Sequence, residues 1–142
     1  MDLRSLKPDA YARLSNNRPQ VLSKDRGYGV IYLDYGNLIF ALPLRSNLNH
    51  PSGFKTILSG GVWNGIDYSK ALIVDADDFE LAAFKTREND EYLKIKRNKD
   101  KIKKEFIEYL TEYVTVISDG KDLPKKFKFT TLQYFHTELD LT

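Results

Sequence analysis

The sequence contains no cysteine, and this absence removes several kinds of chemistry at once. Disulfide bonds, thiolate nucleophiles and cysteine-ligated zinc are excluded. Histidine is scarce as well, and the only two, His50 and His136, lie too far apart for metal-ligand spacing. We therefore expect neither a metal site nor another cofactor.

Two further kinds of pattern are missing. The glycines do not form a Gly-x-x-x-x-Gly-Lys phosphate loop or a Gly-x-Gly-x-x-Gly dinucleotide motif. No apolar run is long enough to cross a bilayer, and no charged-then-apolar signal pattern opens the chain. These absences predict a cytoplasmic protein that does not contact membranes.

Charge is nearly balanced overall but uneven along the chain. The 22 basic and 20 acidic residues give a net charge of +2, which by itself does not indicate nucleic-acid binding. A dense basic block follows residue 93, with Asp100 as its one acidic member, and consists of Lys94, Lys96, Arg97, Lys99, Lys101, Lys103 and Lys104. Such a block could neutralise several phosphates of a nucleic acid. The alternative is a solvated helix face.

Length and element order predict the fold class. We expect one domain over residues 1–142, since 142 residues with 42% hydrophobic content can bury a core of their own. Short strands precede helices without β-α alternation, which is typical of an α+β fold. The expected architecture is an antiparallel twisted sheet, or a small open barrel, backed by helices that include a long basic amphipathic helix.

The strongest local signal is a β-hairpin. Residues 30–33 are β-branched, aromatic or aliphatic, residues 34–37 tolerate a tight turn, and residues 38–42 form the return strand. We expect that strand to end at Pro43, which cannot donate a ladder hydrogen bond. Further strands are predicted at 54–58 and 70–74, with a turn at 63–65.

The second half of the chain changes to helical periodicity. Ile102, Phe106, Leu110 and Tyr113 recur every three or four residues, which predicts an amphipathic helix capped by Asn98. Residues 91–96 are predicted to form a separate turn before it. A final strand at 127–129 and a C-terminal helix should close the chain.

A polar segment directly after the hairpin is the best candidate for chemistry. Metal-free RNA cleavage requires deprotonation of the 2′-hydroxyl, stabilisation of phosphate charge and protonation of the departing 5′-oxygen. Arginine and lysine stabilise phosphate charge, histidine transfers protons near neutral pH, and serine can donate to a phosphate oxygen. The segment supplies these types as Arg45, Ser46, Asn47, His50 and Lys55. The alternative is an ordinary polar loop.

Four segments together resemble a known family. They are RGYGVI at 26–31, FALPLRSN at 40–47, GIDYSKA at 65–71 and FTTLQYFH at 129–136. The sequence resembles the toxins of type III toxin–antitoxin systems, and within them the TenpIN group, which is related to ToxN and AbiQ. The Pro-Leu-x-Ser element after the hairpin is the most specific part of the resemblance.

The resemblance implies a function and partners. It implies a metal-independent, sequence-preferring endoribonuclease with a core similar to the MazF/Kid toxins, acting on cellular and phage RNA. Cleavage would leave a 2′,3′-cyclic phosphate. It also implies inhibition by a small, repeat-derived pseudoknot RNA antitoxin, bound in a closed protein–RNA hetero-oligomer. The biological outcome would be growth arrest and abortive phage infection.

The resemblance also assigns residues, with two departures. Ser46 matches the family's active-site serine, but Arg45 replaces the preceding threonine and Leu48 replaces a lysine two positions later. We expect Ser46 and Arg45 to hold the scissile phosphate, while His50 transfers a proton and Lys55 stabilises charge. The identities of the general base and acid stay open.

A second group of residues is expected to contact RNA. Tyr28, Asn47 and Tyr68 are candidates for positioning substrate. The resemblance implies that residues 97–104 of the basic block correspond to a family segment that contacts the RNA antitoxin. The candidate residues of the block are Lys94, Arg97, Lys99, Lys101 and Lys104. Two other interpretations remain: a non-catalytic RNA-binding module, and a protein-interaction domain whose basic helix pairs with an acidic partner.

Overall fold

The computed structural model describes residues 2–23, 28–86 and 88–141 of the chain. Its strands are β1 (Asp2–Leu6), β2 (Tyr28–Tyr35), β3 (Leu38–Arg45), β4 (Gly53–Ser59), β5 (Val62–Asp67), β6 (Leu72–Val74) and β7 (Phe79–Ala83). Its helices are α1 (Pro8–Ser15), α2 (Asn89–Arg97) and α3 (Lys99–Ser118). The predicted α+β class is confirmed.

The strands form an antiparallel sheet with two open ends. Their order is β4-β5-β3-β2-β1-β7, and β6 pairs with β3 beside this path. Because β4 and β7 lie at opposite ends of the order, the described strands do not close into a barrel. Of the two architectures expected from the sequence, the described part of the chain forms the open sheet.

The hairpin of β2 and β3 is confirmed, but β3 is longer than predicted. Tyr35 pairs with Leu38 across the turn, where Gly36 adopts a φ of 61°. Pro43 does not end the strand, since it pairs with Val30 and β3 continues to Arg45. On its other side, β3 pairs with β6 up to Ala41 and with β5 from Leu44. Pro43 therefore lies between two partners, where its missing N–H matters least.

On the side away from β2, β3 pairs with two short strands, β5 and β6, one after the other. β5 and β6 both run antiparallel to β3, and a 3₁₀ turn over Tyr68–Lys70 separates them. The predicted strand at 70–74 is therefore shorter than expected. The turn predicted at 63–65 is wrong, because those residues lie inside β5. The chain instead reverses at Gly60 and Gly61, whose φ values of 58° and 80° suit glycine.

The two ends of the chain contribute one strand and two 3₁₀ turns. The N-terminal segment contributes β1, which pairs with both β2 and β7. The predicted strand at 127–129 and the C-terminal helix are wrong. They are replaced by 3₁₀ turns at Lys125–Phe127 and Thr131–Tyr134. Phe127, Leu132 and Phe135 are nevertheless buried, because single turns suffice to direct these side chains inward.

The basic block is divided between two helices. Residues 91–96 are not an isolated turn but belong to α2, and α3 follows directly after Asn98. Asn98 occupies the N-cap position of α3, yet its side chain donates to the Lys94 carbonyl and so closes α2. Lys94, Lys96 and Arg97 thus belong to α2, while the longer α3 carries Lys99, Lys101, Lys103 and Lys104. No described helix is long and apolar enough to span a membrane.

Helix α3 packs its apolar face against β3 and the 3₁₀ turn between β5 and β6. Ile102, Phe106 and Tyr113 are at most 1% exposed. The Phe106 ring lies 5.1 Å from the Phe40 ring of β3 and 6.1 Å from the Tyr68 ring. This contact fixes the 3₁₀ turn against the core, on the side opposite the solvent.

Candidate active site

The break between β5 and β6 is organised around a buried carboxylate, Asp67. Its side chain is fully buried, and its Oδ1 accepts hydrogen bonds from the backbone N (2.9 Å) and Oγ (2.5 Å) of Ser69. An aspartate that accepts from the residue two positions on stabilises this kind of turn. Asp67 therefore both ends β5 and shapes the segment that follows.

The second oxygen of Asp67 joins two predicted site residues. Its Oδ2 accepts from Nη1 of Arg45 at 2.7 Å and lies 3.1 Å from Nε2 of His50. Burial alone would raise the pKa of Asp67, but hydrogen bonds from His50, Ser69 and Arg45 outweigh burial and lower it. The carboxylate is therefore ionised at neutral pH and holds the side chains of Arg45 and His50 in place.

Both ring nitrogens of His50 are engaged. Its Nδ1 accepts from the backbone N–H of Ser52 at 3.1 Å. Since an amide can only donate, Nδ1 carries no proton, and the proton of the neutral ring lies on Nε2, facing Asp67. In this conformation, His50 can exchange a proton with a substrate only after Nδ1 leaves the Ser52 amide.

Lys70 connects the 3₁₀ turn between β5 and β6 to distant parts of the chain. Its Nζ donates to the Phe129 carbonyl at 2.8 Å and to Oε1 of Gln20 at 3.2 Å. Burial lowers the pKa of Lys70, and the nearby Asp67 opposes that effect. The turn is thereby tied to both the N-terminal and the C-terminal segments.

An open pocket of about 460 Å³ lies between the segment after β3 and the β4–β5 hairpin. Its lining residues are Asn47, Leu48, Asn49, His50, Pro51, Lys55, Gly61, Val62 and Trp63. Arg45 and His50 have side chains that are 28% and 29% exposed, so the Asp67 cluster is accessible at its outer face. The pocket and the cluster share His50.

Leu48 anchors the segment that forms one wall of this pocket. Its backbone N donates to the Trp63 carbonyl at 2.7 Å, and its side chain is 2% exposed. The side chain lies over Gly53 and Gly65, where a Cβ would come within 2.8 and 2.5 Å of Leu48 Cδ2. Leu48 is therefore a packing residue.

Of the remaining predicted catalytic residues, Lys55 lines the pocket and Ser46 does not. Lys55 is exposed, and its Nζ is 5.9 Å from the centroid of the Trp63 ring. Ser46 is exposed and directly follows Arg45, but it is not among the residues that line the pocket. The structure thus brings Arg45 and His50 together through Asp67 and places Lys55 on the same pocket.

The predicted RNA-contacting residues are more dispersed. Asn47 lines the pocket with a φ of 56°, whereas the side chain of Tyr28 lies outside the described part of the chain. Tyr68 is 3% exposed, and its hydroxyl donates to Oε1 of Glu105 at 2.9 Å. Burial and Glu105 together raise the pKa of Tyr68. Tyr68 faces a second pocket rather than the first.

Only part of the basic block approaches the pocket. Nζ of Lys94 is 5.5 Å from the Trp63 ring centroid and 5.7 Å from that of Phe54, and Nζ of Lys101 is 5.9 Å from the latter. The other three candidates, Arg97, Lys99 and Lys104, are exposed on α2 and α3. Lys94 and Lys101 therefore extend the positive charge of Lys55 along one side of the molecule.

The second pocket, of about 300 Å³, has the opposite charge. It is lined by Glu105, Glu108 and Glu112 of α3, together with Tyr68, Tyr109 and Lys126, and by residues 51–53. Lys126 forms an ion pair with Glu112. A polyanion would be repelled from this face, so the two pockets on either side of residues 50–53 differ in the partners they favour.

Asp67 was not recognised as a site residue from sequence. The available signal was an aspartate at the end of an apolar strand with serine two positions later, which is typical of a turn.

Within residues 2–23, 28–86 and 88–141, no group of three His, Asp or Glu side chains is arranged to hold a metal ion. No protein-family model, curated protein or solved structure matches this chain.

Proposed function

We propose that this protein is an endoribonuclease that cleaves RNA by attack of the 2′-hydroxyl, without a metal ion. The observation that carries the proposal is the single Oδ2 atom of Asp67, which holds Arg45 and His50 side by side at a positively charged pocket. In the reaction, the bond from the 2′-oxygen to phosphorus forms and the bond from phosphorus to the 5′-oxygen breaks. The products are a 2′,3′-cyclic phosphate and a 5′-hydroxyl.

Arg45 stabilises the charge on the phosphate. A guanidinium has five N–H donors, and only Nη1 of Arg45 donates to Asp67. The side chain is 28% exposed, so its outer donors can reach the phosphate oxygens. Because Asp67 fixes the guanidinium beforehand, little reorganisation is needed as charge develops in the transition state.

His50 transfers a proton. The ionised Asp67 next to Nε2 fixes the tautomer and orientation of the ring, as a carboxylate does for catalytic histidines in general. When RNA binds, Nδ1 releases its hydrogen bond with the Ser52 N–H and contacts the substrate instead. The ring then takes the proton from the 2′-hydroxyl or gives one to the 5′-oxygen, and the other of these two steps requires a second group.

Ser46 and Lys55 complete the proposed site. Ser46 directly follows Arg45 and donates a hydrogen bond to a phosphate oxygen. Lys55, exposed on the pocket, contributes a positive charge that stabilises the phosphorane-like transition state. Both roles rest on exposure and proximity, together with the resemblance of Ser46 to the family serine.

The wider biological proposal rests on the resemblance. We propose a type III toxin whose core is related to the MazF/Kid toxins and which cleaves cellular and phage RNA. A repeat-derived pseudoknot RNA inhibits it within a closed protein–RNA hetero-oligomer. The exposed basic residues of α2 and α3 are suited to bind that RNA, because each neutralised phosphate releases counterions.

A second function is favoured by one observation. Both ring nitrogens of His50 already have protein partners, as they would if His50 only tied the segment after β3 to Asp67. The protein would then be a non-catalytic RNA-binding module. This candidate predicts salt-dependent binding of RNA without cleavage, and unchanged RNA affinity in a folded His50→Ala variant.

An RNA cleavage assay tests the proposal. Purified protein is incubated with RNA in EDTA, and the fragment ends are mapped. We expect discrete fragments with cyclic-phosphate ends, which are lost in His50→Ala and Ser46→Ala but retained in Ser118→Ala, an exposed serine at the end of α3. Replacing the nucleotide at the cut with its 2′-deoxy form should block cleavage. Intact RNA with a folded, RNA-binding protein would overturn the proposal in favour of the binding module.

A further inference from the structure

The pocket contains the only tryptophan of the chain, which is partly exposed and has two lysines close to its ring. Trp63 lies in β5 and is 37% exposed, although tryptophan in a folded domain is usually more buried. The ammonium groups of Lys55 and Lys94 lie 5.9 and 5.5 Å from its ring centroid. An exposed aromatic surface flanked by cations is the arrangement that binds unpaired nucleotides.

The orientation of Trp63 follows from the register of the hairpin. Side chains alternate along a strand, so Trp63, Gly65 and Asp67 share one face of β5. Lys55 is paired with Gly65, and Gly53 with Asp67. Because the two glycines carry no side chain, Leu48 fills the space over them, and the indole is left at the open end of this face.

The other walls of the pocket are polar. Asn47 and Asn49 are exposed and line the same cavity as Trp63. An amide side chain offers both donors and an acceptor, which is the combination that base edges require. His50 lines the cavity too, so a base that stacks on the indole has its phosphate close to the Asp67 cluster.

We propose that this pocket binds one unpaired nucleotide next to the scissile phosphate, with its base stacked on Trp63. Lys55 and Lys94 neutralise the flanking phosphates, and Asn47 and Asn49 contact the base edge. The inference rests on the proposed function for the position of the cut, but the pocket itself is defined independently of cleavage. A base that remains in a duplex is already stacked on both faces, so the site selects single-stranded segments and loops.

The lone tryptophan makes the proposal directly measurable. The protein is titrated with a 2′-O-methyl hexanucleotide, which lacks the attacking hydroxyl, while indole fluorescence is recorded. We expect saturable quenching. An abasic hexamer with the same sugar–phosphate charge should bind more weakly and leave the fluorescence nearly unchanged. Equal quenching by the abasic hexamer, or by a polyglutamate peptide, would mean that the patch recognises negative charge alone and would overturn the proposal.

Substitutions provide the second readout. Fluorescence anisotropy of the labelled 2′-O-methyl hexamer should show a loss of affinity of about 5- to 150-fold in Trp63→Ala, the range typical of one stacked base. Trp63→Phe keeps an aromatic face and should lose much less. Leu81→Ala is the matched control, since Leu81 is 96% exposed on β7 at the other end of the sheet. Wild-type affinity in Trp63→Ala would overturn the proposal.

The two proposals fail in different ways. Quenching by the hexamer without cleavage of natural RNA would remove the nuclease and keep the nucleotide pocket. Cleavage of natural RNA without quenching, and with wild-type rates in Trp63→Ala, would keep the nuclease and remove the pocket. If the protein neither binds the hexamer nor cleaves RNA, both are wrong.

Discussion

Leu48 lies so close to Gly65 that a Cβ on the glycine would come within 2.5 Å of Leu48 Cδ2. The same Cβ would also meet the Phe54 carbonyl, which cannot move without disturbing β4. This contact joins the segment after β3 to the β4–β5 hairpin. The shape of the pocket therefore depends on a position that has no side chain.

Gly65→Ala should displace Leu48 and the segment that it anchors. Overpacking of this kind costs about 1–3 kcal/mol of stability. We expect a lower free energy of unfolding in urea and weaker binding of the 2′-O-methyl hexamer in the protein that remains folded. Wild-type stability and affinity would show that the segment is not fixed by this contact.

Leu48→Ala should destabilise the protein through a cavity. Removing a buried leucine side chain costs about 2–5 kcal/mol, and Leu48 is 2% exposed. Leu58→Ala is the matched control in the neighbouring β4–β5 hairpin, because Leu58 is 58% exposed and its loss should cost less than about 0.5 kcal/mol. Urea denaturation of the two variants makes the comparison. Equal losses would contradict the packing assigned to Leu48.

Arg45→Lys should slow RNA cleavage by about 10²–10³-fold, the usual effect of losing one transition-state donor. A lysine ammonium cannot donate to Asp67 and form a planar pair with a phosphate in the same geometry. Single-turnover rates at saturating protein provide the measurement. The control is Arg13→Lys, since Arg13 also donates to a carboxylate, Asp78 at 2.7 Å, outside the pocket. A similar decrease in both variants would contradict the role given to Arg45.

Asp67→Asn should change how stability depends on pH. The pKa of Asp67 in the folded protein lies below its ordinary value of 3.8. The contribution of Asp67 to the free energy of unfolding is therefore complete above pH 3.8 and is lost as the pH falls through the pKa of the folded protein. The difference in free energy of unfolding between wild type and Asp67→Asn should be constant near neutral pH and shrink below pH 3.8. A constant difference down to pH 2 would contradict the ionised pairing.

Lys94→Ala and Lys101→Ala should each reduce the salt dependence of RNA binding. Each lost contact with a phosphate of single-stranded nucleic acid lowers the slope of log K against log salt by about 0.7. Anisotropy titrations over a range of salt concentrations measure that slope. Lys121→Ala serves as the control, because Lys121 is exposed beyond the end of α3. A control that lowers the slope equally would mean that the RNA does not prefer this side.

The elements predicted well were those whose signals are local. The hairpin of β2 and β3 combines apolar strands with a turn containing Gly36, and the apolar spacing of α3 matches one helix face. Pro43 was misjudged because its effect depends on which strand lies beside it. Asn64 and Gly65 favour a turn by residue type, but in the structure Gly65 lies within β5 and allows the close approach of Leu48.

The candidate site was only partly predictable. Arg45 and His50 were identified from residue type and from their position after a strand. Asp67, which joins them, lies 17 residues beyond His50, and only the pairing of β3 with β5 brings it there. Nδ1 of His50 accepts a hydrogen bond from the backbone N–H of Ser52. Because every residue except proline has such an N–H, the identity of residue 52 does not predict this contact.

The interrupted strand beside β3 has a consequence for insertions. β5 and β6 keep their own register with β3, so an extra residue within the Tyr68–Lys70 turn leaves both pairings possible. An extra residue inside β5 would instead turn Trp63 and Gly65 to the opposite face, because side chains alternate along a strand. Natural variants of this chain should therefore exclude length changes within β5. At the buried Tyr68–Lys70 turn, the contacts of Ser69 and Lys70, rather than strand pairing, limit such changes.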